Sequence, residues 1–142
     1  MSQATQVPKI NKVLFIDDDE YTIAYYKVLS KDFNLAKESL FFTDATVALK
    51  HLESIVNEYE FPDLILVDIN MPQLDGHEFV TTVMEMPQHH QQRTAIVFLT
   101  SSKEMTDIVK ADENQVEHYY WKPLTENKLK RILRDCLDII VE

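Results

Sequence analysis

Five apolar runs of strand length alternate with segments of helical periodicity along this chain, and that alternation leaves few folds open. The runs are KVLFID (12–17), SLFFT (39–43), DLILVD (63–68), TAIVFLT (94–100) and EHYYW (117–121). Apolar residues recur at helical steps between them: Ile23, Tyr26, Val28 and Leu29 within 21–33; Val47, Leu49, Leu52, Ile55 and Val56 within 45–59, behind an N-cap at Asp44; Met105, Ile108 and Val109 within 102–111. The segment 75–86 also reads as a helix, ended by Pro87, and 125–140 carries the fullest stripe, Leu129, Ile132, Leu133, Cys136, Leu137 and Ile140. Runs that are apolar throughout belong to strands covered by helices on both faces, so a parallel α/β sheet is predicted. No repeat and no long linker interrupts the pattern. Residues 1–10 are expected to form a flexible arm and 11–142 a single domain.

All strands of a parallel sheet end on one rim, and ligands bind in the crevice there. The first run ends in Asp17-Asp18-Asp19, the third in Asp68, the fourth in Thr100-Ser101-Ser102 and the fifth in Lys122-Pro123, while the second, near Thr43-Asp44, adds nothing distinctive. Carboxylates gathered this closely repel one another and favour protonation unless a cation joins them. Mg2+ takes an octahedron of oxygens from one or two carboxylates, waters and a phosphate oxygen. Lys122 adds a fixed positive charge, and Thr100 adds a hydroxyl that can donate to an oxyanion. What fits between a metal, a hydroxyl and a lysine is a phosphoryl group, and a carboxylate can accept one as an aspartyl phosphate. Asp68 is expected to end an apolar strand because that position would face solvent, metal and phospho-donor together.

Charge and glycine content exclude other classes. Lys plus Arg total 14 against 24 Asp plus Glu, a formal charge of −10, which argues against nucleic acid as a direct ligand. Gly76 is the only glycine, so a Gly-rich phosphate-cradling loop is excluded. No apolar run approaches the ~20 residues of a membrane span, and the polar start MSQATQVPKI has no signal-peptide core. Cys136 is the single cysteine, so no disulfide framework exists within the chain and a reducing cytoplasm is the expected compartment.

Over about residues 10–140 the chain resembles the response-regulator receiver domains of two-component signalling, of the chemotaxis-regulator type. The resemblance rests on Asp17-Asp18 after the first strand, Asp68 within LVDINMPQLDG, Thr100 after the fourth strand and Lys122-Pro123 after the fifth. It implies a flavodoxin-like, doubly wound five-stranded parallel sheet of order 2-1-3-4-5 with five helices. It implies phosphoryl transfer onto Asp68 from a histidine kinase or histidine phosphotransfer protein, with Mg2+ held by Asp17, Asp18, Asp68 and the backbone carbonyl of Asn70. A cis peptide before Pro123 is implied too, as is a switch in which Thr100 follows the phosphoryl group and Tyr119 changes rotamer. A downstream protein, or a second copy of the chain, would dock on the face made by the last two helices and the fifth strand. On that strand, alternation puts Tyr119 and Trp121 on one side and His118 and Tyr120 on the other. Only the last helix follows Lys122, so the chain is expected to act as a single-domain switch or relay, with no chemistry beyond its own phosphorylation and dephosphorylation. The chain departs from the family at Gln115-Val116, where Gly-Ala is usual, at Trp121, where a small or aliphatic residue is usual, and in the polar loop PQHHQQRT.

Plainer readings stand beside these. Asp17 to Glu20 could serve only as an acidic helix N-terminus, and Thr100 could merely end its strand. Asp75 before Gly76 reads as turn chemistry. His77, His89 and His90 invite a metal or phosphohistidine reading, but the last two fall in a loop and read as solvent-exposed. Cys136 reads as core, and Trp121 could pack against the loop after Thr100. Two functional competitors remain. An aspartyl-phosphate phosphatase also uses an acidic cluster on an α/β sheet, but needs a second acid two residues after its nucleophile, where Asn70 stands. A pseudo-receiver would bind partners without being phosphorylated, a reading the complete set of site residues opposes.

Overall fold

The computed structural model describes residues 7–69, 71, 74, 76–87, 94–100 and 118–141, apart from the side chains of Glu58 and His118. Five parallel strands form one sheet in the order β2-β1-β3-β4-β5, as expected. The strands are β1 (Ile10–Ile16), β2 (Ala36–Phe42), β3 (Leu64–Asp68), β4 (Ala95–Thr100) and β5 (His118–Trp121). Four α-helices rather than five lie among the described residues: α1 (Glu20–Phe33), α2 (Ala45–Glu53), α3 (Gly76–Met84) and α4 (Glu126–Leu137). The helix expected over 102–111 falls outside the described residues. A 3-10 turn occupies Glu58–Glu60.

The continuous apolar runs are explained by two cores, one on each face of the sheet. Leu14, Ile16, Ile65 and Val67 point into a layer with Ala45, Ala48 and Leu52 of α2 and Phe79, Val80 and Val83 of α3. Val13, Phe15, Leu64 and Leu66 point into the other, with Ile23, Tyr26, Leu29 and Phe33 of α1 and Leu129, Ile132 and Leu133 of α4. Each strand residue therefore needs an apolar side chain whichever way it points, and the sheet is rigid enough to present its ends as a fixed frame.

Helix lengths and faces differ from the expected ones in three places. α2 stops at Glu53, short of the expected 45–59 span, and Val47 and Val56 are exposed. Its buried face runs Ala45, Ala48, Leu52 and on to Ile55; the small alanines, weak on a hydropathy count, set the helix against the sheet. The Ser54 hydroxyl donates to the His51 carbonyl at 2.6 Å and closes the turn there. α4 stops at Leu137 because Asp138 is left-handed (φ 57°), and the N–H groups of Asp138 and Ile139 both donate to the Leu133 carbonyl. That reversal packs Ile139 and Val141 on the core and turns Ile140 outward, while Cys136 is half-buried. On α1, Val28 is exposed and Phe33 completes the inner face. At the other end of the chain β1 already includes Ile10, whose N–H, like that of Lys9, donates to the Leu35 carbonyl. Residues 1–6 of the expected arm lie outside the described residues.

Candidate functional site

Strand register assembles the rim. Ile16 pairs with Val67, so Asp17 and Asp68 leave β1 and β3 side by side. Asp68 pairs with Leu99, and Thr100 with Trp121, which brings the end of β4 and the Lys122 that follows β5 to the same place. One carboxylate oxygen each from Asp17, Asp18 and Asp68 lies within 4.8 Å of the others, with Asp17 and Asp68 buried and Asp18 exposed. Lys122 Nζ donates to Asp17 Oδ2 at 2.6 Å and stands 3.6 Å from Asp68 Oδ1. Burial pulls the Lys122 pKa down, but the hydrogen bond to Asp17 and the charges of Asp68 and Asp17 outweigh it, leaving the pKa above the ordinary 10.5. Its backbone N–H donates to the Thr100 carbonyl at 2.8 Å. The Lys122–Pro123 peptide is cis, as expected, and Lys128 Nζ ties the loop by donating to the carbonyls of Trp121 and Pro123.

The three consecutive aspartates do three different things. Asp19 is the N-cap of α1, accepting from the Tyr21 N–H and the Thr22 hydroxyl, and those bonds, Thr22 first, hold its pKa below the usual carboxylate value. Asp17 points inward and accepts from the Asp19 N–H as well as from Lys122. Asp18 is left exposed at the rim. The plain helix-terminus reading thus applies to Asp19 and not to its two neighbours. The Lys122 ammonium by itself does not balance three carboxylates, two of them out of water, and such an arrangement favours an added cation. The donors are hard carboxylate oxygens, which suit Mg2+ rather than a thiolate- or imidazole-seeking metal.

Two residues gain importance that the sequence did not reveal. Gly76 opens α3, with its N–H donating to the Ile69 carbonyl at 2.9 Å. A Cβ there would come 2.7 Å from the Asp68 carbonyl oxygen, 2.9 Å from Ile69 Cα and 3.0 Å from the Phe98 ring. The only glycine therefore serves close approach of a helix to the strand end that carries Asp68; reading it as turn chemistry missed that. Tyr26, which looked like ordinary stripe, packs its ring 5.0 Å from Phe15, and burial together with the Asp17 and Asp68 charges pushes its phenol pKa well up. His77 is buried against the Phe98 ring edge and does not belong to the acidic group. On β5, Tyr119 and Trp121 are 36% and 41% exposed, whereas Tyr120 packs toward α4 and burial raises its pKa. Asn70, Asp75, His89, His90, Ser101, Ser102, Gln115 and Val116 lie outside the described residues.

A sequence profile described as "Response regulator receiver domain" matches residues 13–134. The chain belongs to the response regulator receiver domain family. This receiver is 28% identical over 125 residues to the response regulator Rcp1 of Synechocystis sp., covering 86% of this chain and 82% of that protein. It is 29% identical over 127 residues to the sensor histidine kinase CheAY of Helicobacter pylori, covering 89% of this chain and 15% of CheAY. The crystal structure of a two-component response regulator from Cytophaga hutchinsonii matches with a TM-score of 0.79 at 28% identity, over 92% of this receiver and 98% of that chain. Receivers are signalling switches, and the sheet order seen here is the CheY-like, flavodoxin-type order. Among the described residues no helix is long and apolar enough to cross a membrane.

Proposed function

We propose that this receiver accepts a phosphoryl group onto Asp68 from the phosphohistidine of a histidine kinase or histidine phosphotransfer protein, and that the modification alters its partner-binding surface. The observation that supports it is the meeting of Asp17, Asp18 and Asp68 within 4.8 Å, with Lys122 reaching both Asp17 and Asp68. An Asp68 carboxylate oxygen attacks phosphorus, the phosphorus–nitrogen bond breaks, and the imidazole nitrogen keeps the electron pair and takes up a proton. Asp17, Asp18, Asp68 and the Asn70 backbone carbonyl would hold Mg2+, which would supply charge neutralisation for the transfer. Lys122 moves its ammonium from Asp17 toward the new phosphoryl oxygens. The Thr100 hydroxyl donates to the same group, and the space it leaves is filled by Tyr119, a two-state element biased by local charge. Tyr119 and Trp121, with the helix expected over 102–111, then meet a downstream protein or a second copy of the chain, in the cytoplasm and without direct nucleic-acid contact.

Incubation with acetyl phosphate and Mg2+, followed by intact mass, tests this. One retained, base-labile phosphoryl group is expected, and Asp68→Asn should abolish it while keeping the fold. Steady phosphate release without an adduct would indicate a phosphatase, and no reaction would indicate a binding-only module. In a separate, unphosphorylated sample, beryllofluoride with Mg2+ should shift Trp121 fluorescence, and Asp68→Ala should remove the shift.

A further inference from the structure

Away from the rim, positive charge gathers between α1 and β2. A pocket of about 310 Å³ there is lined by Lys27, Lys31 and Lys37, by Ser30 and Ser39, and by Asn34. Among the described residues no acidic side chain lines it, although the chain carries 24 acids to 14 bases. None of the three lysines is ion-paired among the described residues. Ser30 is 4% exposed, and its Oγ lies 2.9 Å from Ser39 Oγ, a contact that uses one of the two hydroxyl hydrogens. Neither hydroxyl has another partner among the described residues, so one donor remains for an acceptor entering the pocket.

Plainer roles account for part of this. Lys31 suits the C-terminal turn of α1, where the helix dipole favours cations, and Lys27 stands 5.7 Å over the Phe41 ring. Neither role explains why three ammonium groups without ion-pair partners among the described residues line a pocket with the part-buried Ser30–Ser39 hydroxyl pair in an acidic protein. We propose that this pocket binds a small phosphate-type oxyanion, free or esterified. Ammonium groups offer donors and no acceptor, and the spare serine hydrogen and the Asn34 amide add directional donors, so the occupant must be rich in acceptors and negative charge. The volume sits at the low end of the ~300–1,000 Å³ range of ligand pockets, which fits a small phosphorylated metabolite. Lys27 and Lys31 lie in the later half of α1, about two to three turns from the acidic rim, so the site is separate from Asp68.

Backbone amide shifts measured while titrating inorganic phosphate, pyrophosphate and a nucleoside monophosphate, without Mg2+ and at constant ionic strength, test the proposal. Saturable shifts at Ser30, Asn34, Lys37 and Ser39 are expected. Lys31→Gln and Lys37→Gln should each weaken binding by about 2- to 5-fold, and Ser39→Ala should weaken it as well. All three variants should still be phosphorylated by acetyl phosphate, which also reports that they fold. Tightest binding of the nucleoside monophosphate would identify an ester ligand, and tightest binding of phosphate or pyrophosphate a free anion; either supports the site. Shifts that track a chloride control, that appear only at Asp17 to Asp19, or that persist unchanged in the Lys31→Gln/Lys37→Gln double variant would overturn it.

Discussion

The two ends of the sheet use the same kinds of side chain to opposite effect. At the amino ends of the strands, buried Lys12 donates to the Glu60 carbonyl at 3.0 Å, and one Asp63 carboxylate oxygen accepts from the N–H groups of Asn11 and Lys12 at 2.9 and 3.1 Å. Buried Thr94 donates to the Pro62 carbonyl at 2.6 Å. Polar groups there are matched to backbone groups of neighbouring segments and lock strand ends together. At the carboxyl ends Asp17, Asp18 and Asp68 face one another with Lys122 as their cation. A charge satisfied by backbone is structural. A charge that faces its own kind out of water is held in place by the rest of the fold, at a cost in stability, and marks where chemistry can occur.

That contrast can be broken from either side. The largest effect is expected from Gly76→Ala, because a Cβ would meet backbone at 2.7 Å; overpacking of this kind costs about 1–3 kcal/mol or more. Denaturant unfolding should show that loss, and the displaced Asp68 should slow phosphorylation as well. Asp63→Ala leaves two backbone N–H groups without their carboxylate and should cost about 1–3 kcal/mol. Phosphorylation at a temperature where this variant is folded should be unchanged, separating the structural end from the reactive one. Asp18→Asn should act in the opposite sense. Removing an exposed, repelling carboxylate should raise stability by up to about 1 kcal/mol while weakening Mg2+ binding in a direct titration.

The smallest effect concerns pH. His51, at the amino end, has its pKa lowered by burial and by the Lys12 charge, and its Nε2 is shielded without a partner among the described residues. The folded protein thus holds His51 neutral where the unfolded chain would protonate it. Its contribution is complete above the ordinary value of 6.5 and is lost as pH falls from there through the lowered folded value. His51→Gln should flatten the decline of stability over that acid window, and an identical slope in both proteins would refute the assignment.

The rim was legible because its chemistry sits at the ends of four of the five apolar runs, whose type and order were unambiguous: Asp17, Asp18, Asp68, Thr100 and Lys122 each follow or finish a strand. The alternation of Tyr119, Tyr120 and Trp121 was legible for the same reason. Helix ends were not, because a serine hydroxyl at Ser54 and a left-handed Asp138 decide them, and neither leaves a mark in hydrophobic periodicity. The role of Gly76 was hidden because a steric requirement between a helix start and a strand end has no local pattern. Nor could spacing tell that Lys122 pairs at shorter range with Asp17 than with Asp68.

Locating the modification decides whether Asp68 is the phosphoacceptor. After reaction with acetyl phosphate and Mg2+, hydride reduction converts an aspartyl phosphate to homoserine, which peptide mass mapping identifies. Homoserine is expected at position 68 alone, absent when Mg2+ is omitted. Homoserine at Asp17 or Asp18 in comparable yield, or none anywhere, would contradict it.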